Sequence, residues 1–199
     1  MRVLILFAHP AYERSRINRR LVDAVTGLDG VTVHDLYEAY PDFAIDVEAE
    51  QKLLLEHDVI IFHHPLFWYS SPALLKEWQD LVLTHGWAYG AEGTALMGKL
   101  FMQTITTGAG VEKYCAENHC AVRSMLLPFE MTAQLCNLRV IAPFAVFGTF
   151  NLDPEKDMLA IGEEYRRVVT ALRDESLDLD AAAAAEVTNA AHCTCDLTR

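Results

Sequence analysis

The sequence predicts a doubly wound α/β domain, a five-stranded parallel sheet with helices on both faces. Short apolar runs alternate with segments of helical periodicity five times along the chain, the order that right-handed β-α-β crossovers require. A mean hydropathy of +0.12, with 52% hydrophobic residues, fits strands buried on both faces. A length of 199 residues allows one sizeable core and is too short for two comfortable domains.

Arg2 to Phe7 (RVLILF) is an apolar run ending at a His-Pro pair, the pattern of a buried strand. Ser15 to Thr26 follows with helical spacing through Ile17, Leu21, Val22 and Val25. Val31 to Leu36 (VTVHDL) alternates after Asp29-Gly30 and reads as the second strand. Val47 to His57 reads as a helix with an acidic first turn, Val59 to His63 as the third strand, and Pro72 to Leu83 as a helix with proline in its first turn. Lys99 to Ile105 supplies the fourth strand, Ala121 to Leu135 a helix, Val140 to Phe147 the fifth strand and Asp153 to Arg173 a closing helix. Residues 1–175 then make the folded domain. Residues 176–199, with a run of five alanines, add no strand signal and read as a helical or disordered extension.

The net charge of −12, from 28 acidic and 16 basic residues, argues against broad contact with phosphate backbones or anionic lipid, so no nucleic-acid partner is expected. No apolar run approaches the roughly 20 residues of a membrane span. The start, MRVLILFAHP, turns polar too soon for a signal peptide, and the chain reads as cytoplasmic. Its five cysteines show no disulfide spacing, which fits a reducing compartment. His192-Cys193-x-Cys195 offers three metal donors, but a solvated tail accounts for it more simply, and no metal is predicted.

In an open parallel sheet, ligands bind beyond the carboxyl ends of the strands where strand order reverses. The candidate loops are therefore 8-AHPAYERSRIN-18, 64-HPLFWYSS-71 and 106-TTGAGVEKYCAENH-119. The first has neither GxGxxG nor GxxxxGK[ST], which removes the usual dinucleotide and nucleoside-triphosphate cradles. Nor does the first strand end in paired acidic residues, which disfavours a phospho-acceptor domain. Ser15 and Asn18 stand at a helix N-terminus that favours an anion such as a single phosphate, with His9 and Arg16 nearby; equally, Ser15 can be a plain N-cap. In the second loop Pro65, Leu66, Phe67, Trp68 and Tyr69 offer a flat apolar wall suited to a planar heteroaromatic ring, or core filling beneath the loop. His63 and His64 point apart along a strand, which disfavours a shared metal. In the third loop TTGAG can aim hydroxyls and backbone N–H groups at one point, stabilising negative charge on a ring.

The runs FAHP, SRIN, HPLFWYSSPALLKEW, HGWAYG, GTALMGK, TTGAG and LPFEMTAQLCN resemble the flavodoxin-like NAD(P)H:quinone oxidoreductases. They are most similar to the short bacterial branch that includes the ancillary subunits of glutathione-gated potassium efflux systems. The likeness covers residues 3–150 and implies a sheet of order 2-1-3-4-5. It implies a bound flavin, FMN or alternatively FAD, with NAD(P)H as electron donor. His9, Ser15, Ile17 and Asn18 would hold the phosphate side; Pro65, Leu66, Phe67, Trp68 and Tyr69 the ring; Thr106, Thr107, Gly108 and Gly110 the pyrimidine edge. Tyr114 and His119 fall where related enzymes carry the residues that assist hydride transfer and charge relay.

The implied reaction is a two-electron, ping-pong transfer from NAD(P)H through the flavin to a quinone. A regulatory subunit of a potassium efflux transporter, peripheral at the inner membrane face, and a single-electron carrier are the competing readings. The resemblance also implies a homodimer, for which 78-WQDLVLTHGWAYG-90 offers apolar and aromatic residues, though as plain core helix it needs no partner. Two departures stand out. Gly108-Ala109 replaces the family's paired glycines, and a positive φ at the second position would strain alanine. The resemblance gives nothing beyond Leu177.

Overall fold

A computed structural model describes residues 1–114 and 120–189. His119, Cys115 and the His192-Cys193-x-Cys195 run lie outside the described residues. The apolar runs form parallel strands β1 (Val3–Phe7), β2 (Val31–Asp35), β3 (Val59–Pro65) and β4 (Leu100–Thr106), followed by β5 (Arg139–Val140) and β6 (Phe144–Val146). The order is β2-β1-β3-β4-β5, with β6 also on β4, as the resemblance implies.

The predicted fifth strand is thus one position in the sheet occupied in two pieces. Its register on β4 steps from Leu100↔Arg139 to Thr104↔Phe144, leaving one extra residue on the β5–β6 side. Pro143 has no N–H to give the ladder. The Ala142 N–H turns away to the Ala182 carbonyl at 2.9 Å.

Alternate residues of the buried strands feed two cores. Val3 and Ile5 of β1 pack with Ile17, Leu21 and Val25 of α1 (Arg16–Val25) and with Ile161, Tyr165 and Val169 of α7 (Asp157–Arg173). Leu4 and Leu6 face Leu54 of α3 (Val47–Leu55), Leu75 and Trp78 of α4 (Ala73–Val82), and Phe129 of α6 (Leu127–Leu135). Burying each of these aliphatic side chains is worth about 1.5–3 kcal/mol, so the sheet is a rigid platform for whatever its loops hold.

Several boundaries differ from the sequence expectation for local reasons. The helix expected over residues 121–135 is two, α5 (Val122–Met125) and α6, because Pro128 sits in the first turn of the second and cannot continue the first. The closing helix begins at Asp157: the Asp153 carboxylate accepts the N–H groups of Glu155 at 2.9 Å and Lys156 at 2.8 Å and forms a turn first. A short helix, α2 (Leu36–Ala39), capped by Asp35, was not expected. Within residues 78–90 most apolar side chains turn toward the core, while Leu81 is exposed. Trp78, Val82 and Ala88 are buried, and Leu83, Trp87 and Tyr89 pack against that same core. In the extension a helix does form, α8 (Leu179–Ala184).

One carboxylate is sealed into the second core. Glu50 accepts hydrogen bonds from Tyr40 Oη at 2.6 Å and Trp78 Nε1 at 2.7 Å, and pairs with His34 Nε2 at 2.7 Å. Burial alone would raise its pKa, but these partners outweigh it and hold the carboxyl below its ordinary range.

Candidate functional site

Parallel pairing brings the ends of three strands together. Phe7 stands opposite His63, and His63 opposite Thr104. The ladder then continues into the loops: Ala8 N–H donates to His63 O at 2.9 Å, Leu66 N–H to Thr106 O at 2.8 Å, and Thr107 N–H to Val146 O at 2.9 Å. The result is one cleft of about 330 Å³, bordered by all three predicted loops.

At one end of the cleft the first loop turns into α1. Ser15 is indeed an N-cap: its Oγ accepts from Asn18 N–H at 3.3 Å and from Asn18 Nδ2 at 2.8 Å. That leaves the N–H groups of Arg16 and Ile17 for an anion, at the positive end of the helix. Arg14 and Arg16 border the same end. His9 is buried there, its Nδ1 accepting from Ala11 N–H at 3.1 Å. This bond puts the ring proton on Nε2, and burial lowers the pKa, so His9 is a neutral donor.

Asn18 borders the cleft and is also tied into the strand ends beneath it. Its amide donates to Ser15 Oγ and, at 3.1 Å, to Thr106 Oγ1, while its Oδ1 accepts from His63 Nε2 at 3.0 Å. With both donor positions used, it ties the first loop to the ends of β3 and β4 from beneath. His63, completely buried between Phe7 and Tyr165, has its pKa pushed down to about 3, by burial first and then by the neighbouring histidines. Its Nδ1 finds no partner.

The aromatics of the second loop part company. Pro65, Leu66 and Phe67 line the cleft, with Phe67 edge-on to His9 at 5.9 Å between ring centroids. Tyr69 borders a second hollow of about 590 Å³, which Ala109, Lys113, Tyr114 and Met125 also line. Trp68 lines neither and is 94% exposed. Phe67 and Ser70 exchange two backbone hydrogen bonds of 3.0 Å, which makes 67–70 a tight hairpin with Trp68 at φ 50° and Tyr69 at φ 63°.

In the third loop Thr106, Thr107 and Gly108 line the cleft, while Gly110 adjoins it in the same turn. Thr107 Oγ1 donates to Ala109 O at 2.8 Å, and Gly148 N–H reaches the same carbonyl at 2.8 Å. The strain expected at Ala109 is absent, since its φ is not positive. Tyr114 leans on Phe147 at 5.4 Å and hydrogen-bonds Thr107; burial raises its pKa.

Sequence reasoning missed a fourth loop, 148-GTFN-151. Thr149 N–H donates to Thr107 O at 3.0 Å, and Phe150 lies over Gly108 so closely that a Cβ there would be 2.5 Å from its ring. Both residues border the cleft. The signal was available, because this loop also leaves the carboxyl end of a strand. The sequence marks His63 only as a potential metal ligand. Among the described residues no cluster of three or more His, Cys, Asp or Glu side chains could hold a metal.

A larger hollow, about 790 Å³, opens at the amino ends of the strands. Its charged groups are already engaged: Arg139 pairs with Asp180 at 2.6 Å, and Lys99 Nζ donates to the His57 carbonyl at 2.5 Å. The smaller cleft has unspent donors at the strand ends and is the better candidate.

The chain is similar to known proteins along most of its length. The family model described as flavodoxin-like fold matches residues 1–169. The chain is 45% identical over 153 residues to the glutathione-regulated potassium-efflux system ancillary protein KefF of Enterobacter sp. (strain 638), covering 77% of this chain and 87% of that protein. Among solved structures, general stress protein 14 of Treponema denticola in complex with FMN is 37% identical, with a TM-score of 0.79 over 89% of this chain and 100% of that one. An NADPH-quinone reductase from P. pentosaceus is 32% identical, with a TM-score of 0.76 over 84% of this chain and 97% of that one.

Proposed function

The chain belongs to the flavodoxin-like fold family, and from that premise we propose that it is an FMN-dependent NAD(P)H:quinone oxidoreductase. The observation that carries the reading is the single cleft in which an anion-favouring helix start, an apolar wall and a glycine turn converge. The residues suit FMN. Arg14, Arg16 and the first N–H groups of α1 match its phosphate, with the neutral His9 donor beside them. Pro65, Leu66 and Phe67 match the apolar ring, and the backbone from Gly108 to Gly110 offers N–H groups to its pyrimidine edge.

When bound, FMN supplies the hydride chemistry that joins NAD(P)H to a two-electron acceptor. The chain's own part is binding, orientation and proton supply. Tyr69, Ala109, Tyr114 and Met125 border the adjoining hollow, where donor and acceptor would stack in turn. One shared place gives ping-pong kinetics. The Tyr114 hydroxyl, its pKa raised by burial, keeps its proton at neutral pH and can donate to a quinone oxygen. His119, from the resemblance, completes the proposed proton path.

The test is to purify the chain, release any flavin by heat and identify it, then follow NADH and NADPH oxidation with a quinone. FMN and parallel double-reciprocal plots are expected. A colourless protein that gains no flavin absorbance on mixing with FMN or FAD ends the reading. The KefF relative favours one second reading, a flavoprotein subunit of a potassium efflux transporter acting at the inner membrane face. Co-purification with such a transporter from membranes tests it. No helix among the described residues is long and apolar enough to cross the membrane by itself. Light scattering at twice the 22.3 kDa chain mass tests the homodimer that belongs to the same proposal.

A further inference from the structure

The segment beyond the family match is built into the sheet edge. Among the described residues strand β6 pairs with β4 on one side only. On its other side the fully buried Asn189 takes the place of a neighbouring strand: its Oδ1 accepts from Ala145 N–H at 2.9 Å and its Nδ2 donates to Ala145 O at 2.8 Å. Thr188 N–H donates to Pro143 O at 2.8 Å. A second anchor lies on α5. Arg123 Nη1 donates to the carbonyls of Ala183 at 2.7 Å and Ala185 at 2.8 Å, its Nε reaches Glu130 at 2.8 Å, and its N–H meets Glu186 Oε1 at 3.2 Å.

Both anchors stand behind walls of the hollow beside the cleft. Phe147, the residue after β6, supports the ring of Tyr114. Met125, two residues after Arg123, lines the hollow with Tyr114. Val187 packs against the same core that holds Phe147, Tyr114 and Met125. None of residues 177–189 lines the cleft assigned to the cofactor.

We propose that residues 177–189 are a positioning strap for the donor and acceptor hollow: they fix Tyr114 through β6 and Met125 through α5, and none of them lines the flavin cleft. This rests on the function proposed above. A chain ending at Glu175 and the full-length variants Arg123→Ala and Asn189→Ala test it. In the shortened chain the KM for a quinone should rise about tenfold while the FMN dissociation constant changes less than about twofold. Asn189→Ala should give a smaller rise of the same kind, and it decides the question if the shortened chain does not fold. Backbone hydrogen exchange of residues 111–114 and 122–125 should quicken in the variants, which reads the strap without turnover. An unchanged KM with unchanged exchange overturns the strap, as does a loss of FMN affinity equal to the rise in KM. Inactivity of the unaltered chain would count against the proposed function, and exchange would still decide the strap.

Discussion

Two polar clusters are buried on opposite faces of the sheet, and they are built differently. On one face Ser15, Asn18, His63 and Thr106 form a neutral network under the mouth of the cleft, with one nitrogen of His63 left unpartnered. On the other, Glu50 gathers His34, Tyr40 and Trp78 around a charge, and every buried polar atom of the group has a partner. A satisfied network far from any opening holds a fold together. A network with unspent capacity beside a cleft holds the loops that form a site. The two should therefore fail in different ways when broken.

The largest expected effect is on the charged cluster. Glu50→Ala removes the acceptor that Trp78 Nε1, Tyr40 Oη and His34 share, and breaking a buried charged network of this kind costs about 3–5 kcal/mol. Urea unfolding should register that loss, while the protein that remains folded binds FMN as before. Equal damage to FMN affinity would show the two clusters to be coupled.

Acid separates the clusters by pH window. Burial pushes the His63 pKa from 6.5 down to about 3, so between those values the unfolded chain binds a proton that the folded chain does not. Stability is therefore highest above pH 6.5 and should fall by about 1.4 kcal/mol per pH unit below it. His9, His57 and His64, also lowered by burial, add to the slope in the same direction, so His63→Asn should reduce it by the His63 share in equilibrium unfolding. The Glu50 contribution has the carboxylate sign. It is present above the ordinary glutamate value of 4.5 and is lost as pH falls through the lowered folded value. A slope that begins only below 4.5 would assign acid sensitivity to Glu50 and not to His63.

Asn18→Ala breaks the neutral network at its centre. It unties the first loop from β3 and β4 and leaves His63 Nε2 without its acceptor. Stability should drop by about 1–3 kcal/mol. The distinguishing result is an FMN dissociation constant about tenfold higher, or ~1.4 kcal/mol, in fluorescence titration of the apoprotein. Unchanged FMN binding would place this network with the structural one.

Much of this was legible in the chain. The apolar runs RVLILF and DVIIF announced parallel strands, and the switch-point rule then located three loops that do meet. What escaped depends on contacts distant in sequence. Asn18 reads as a ligand, and its bonds to Thr106 and His63, which tie the first loop to the ends of β3 and β4, have no sign in the sequence. Phe150 carries no motif and matters because Gly108 leaves room beneath it. The extension has no periodicity of its own beyond α8; it is placed by single side chains, Asn189 and Arg123, pairing with backbone already folded.

The smallest effect concerns the hairpin whose aromatics the sequence made conspicuous and whose backbone it hid. Trp68 and Tyr69 both have positive φ in a two-residue turn that ordinarily carries Asn-Gly, at about 1–2 kcal/mol for each side chain. Trp68 is 94% exposed and so recovers little by burial. Trp68→Gly should raise stability by about 1 kcal/mol and leave FMN affinity untouched. Tyr69→Gly should move stability the same way but raise the KM for the acceptor, because Tyr69 borders the hollow and Trp68 does not. Should Trp68→Gly also raise that KM, the exposed indole would be bearing on the acceptor after all, and the hairpin's strain would belong to function at both positions.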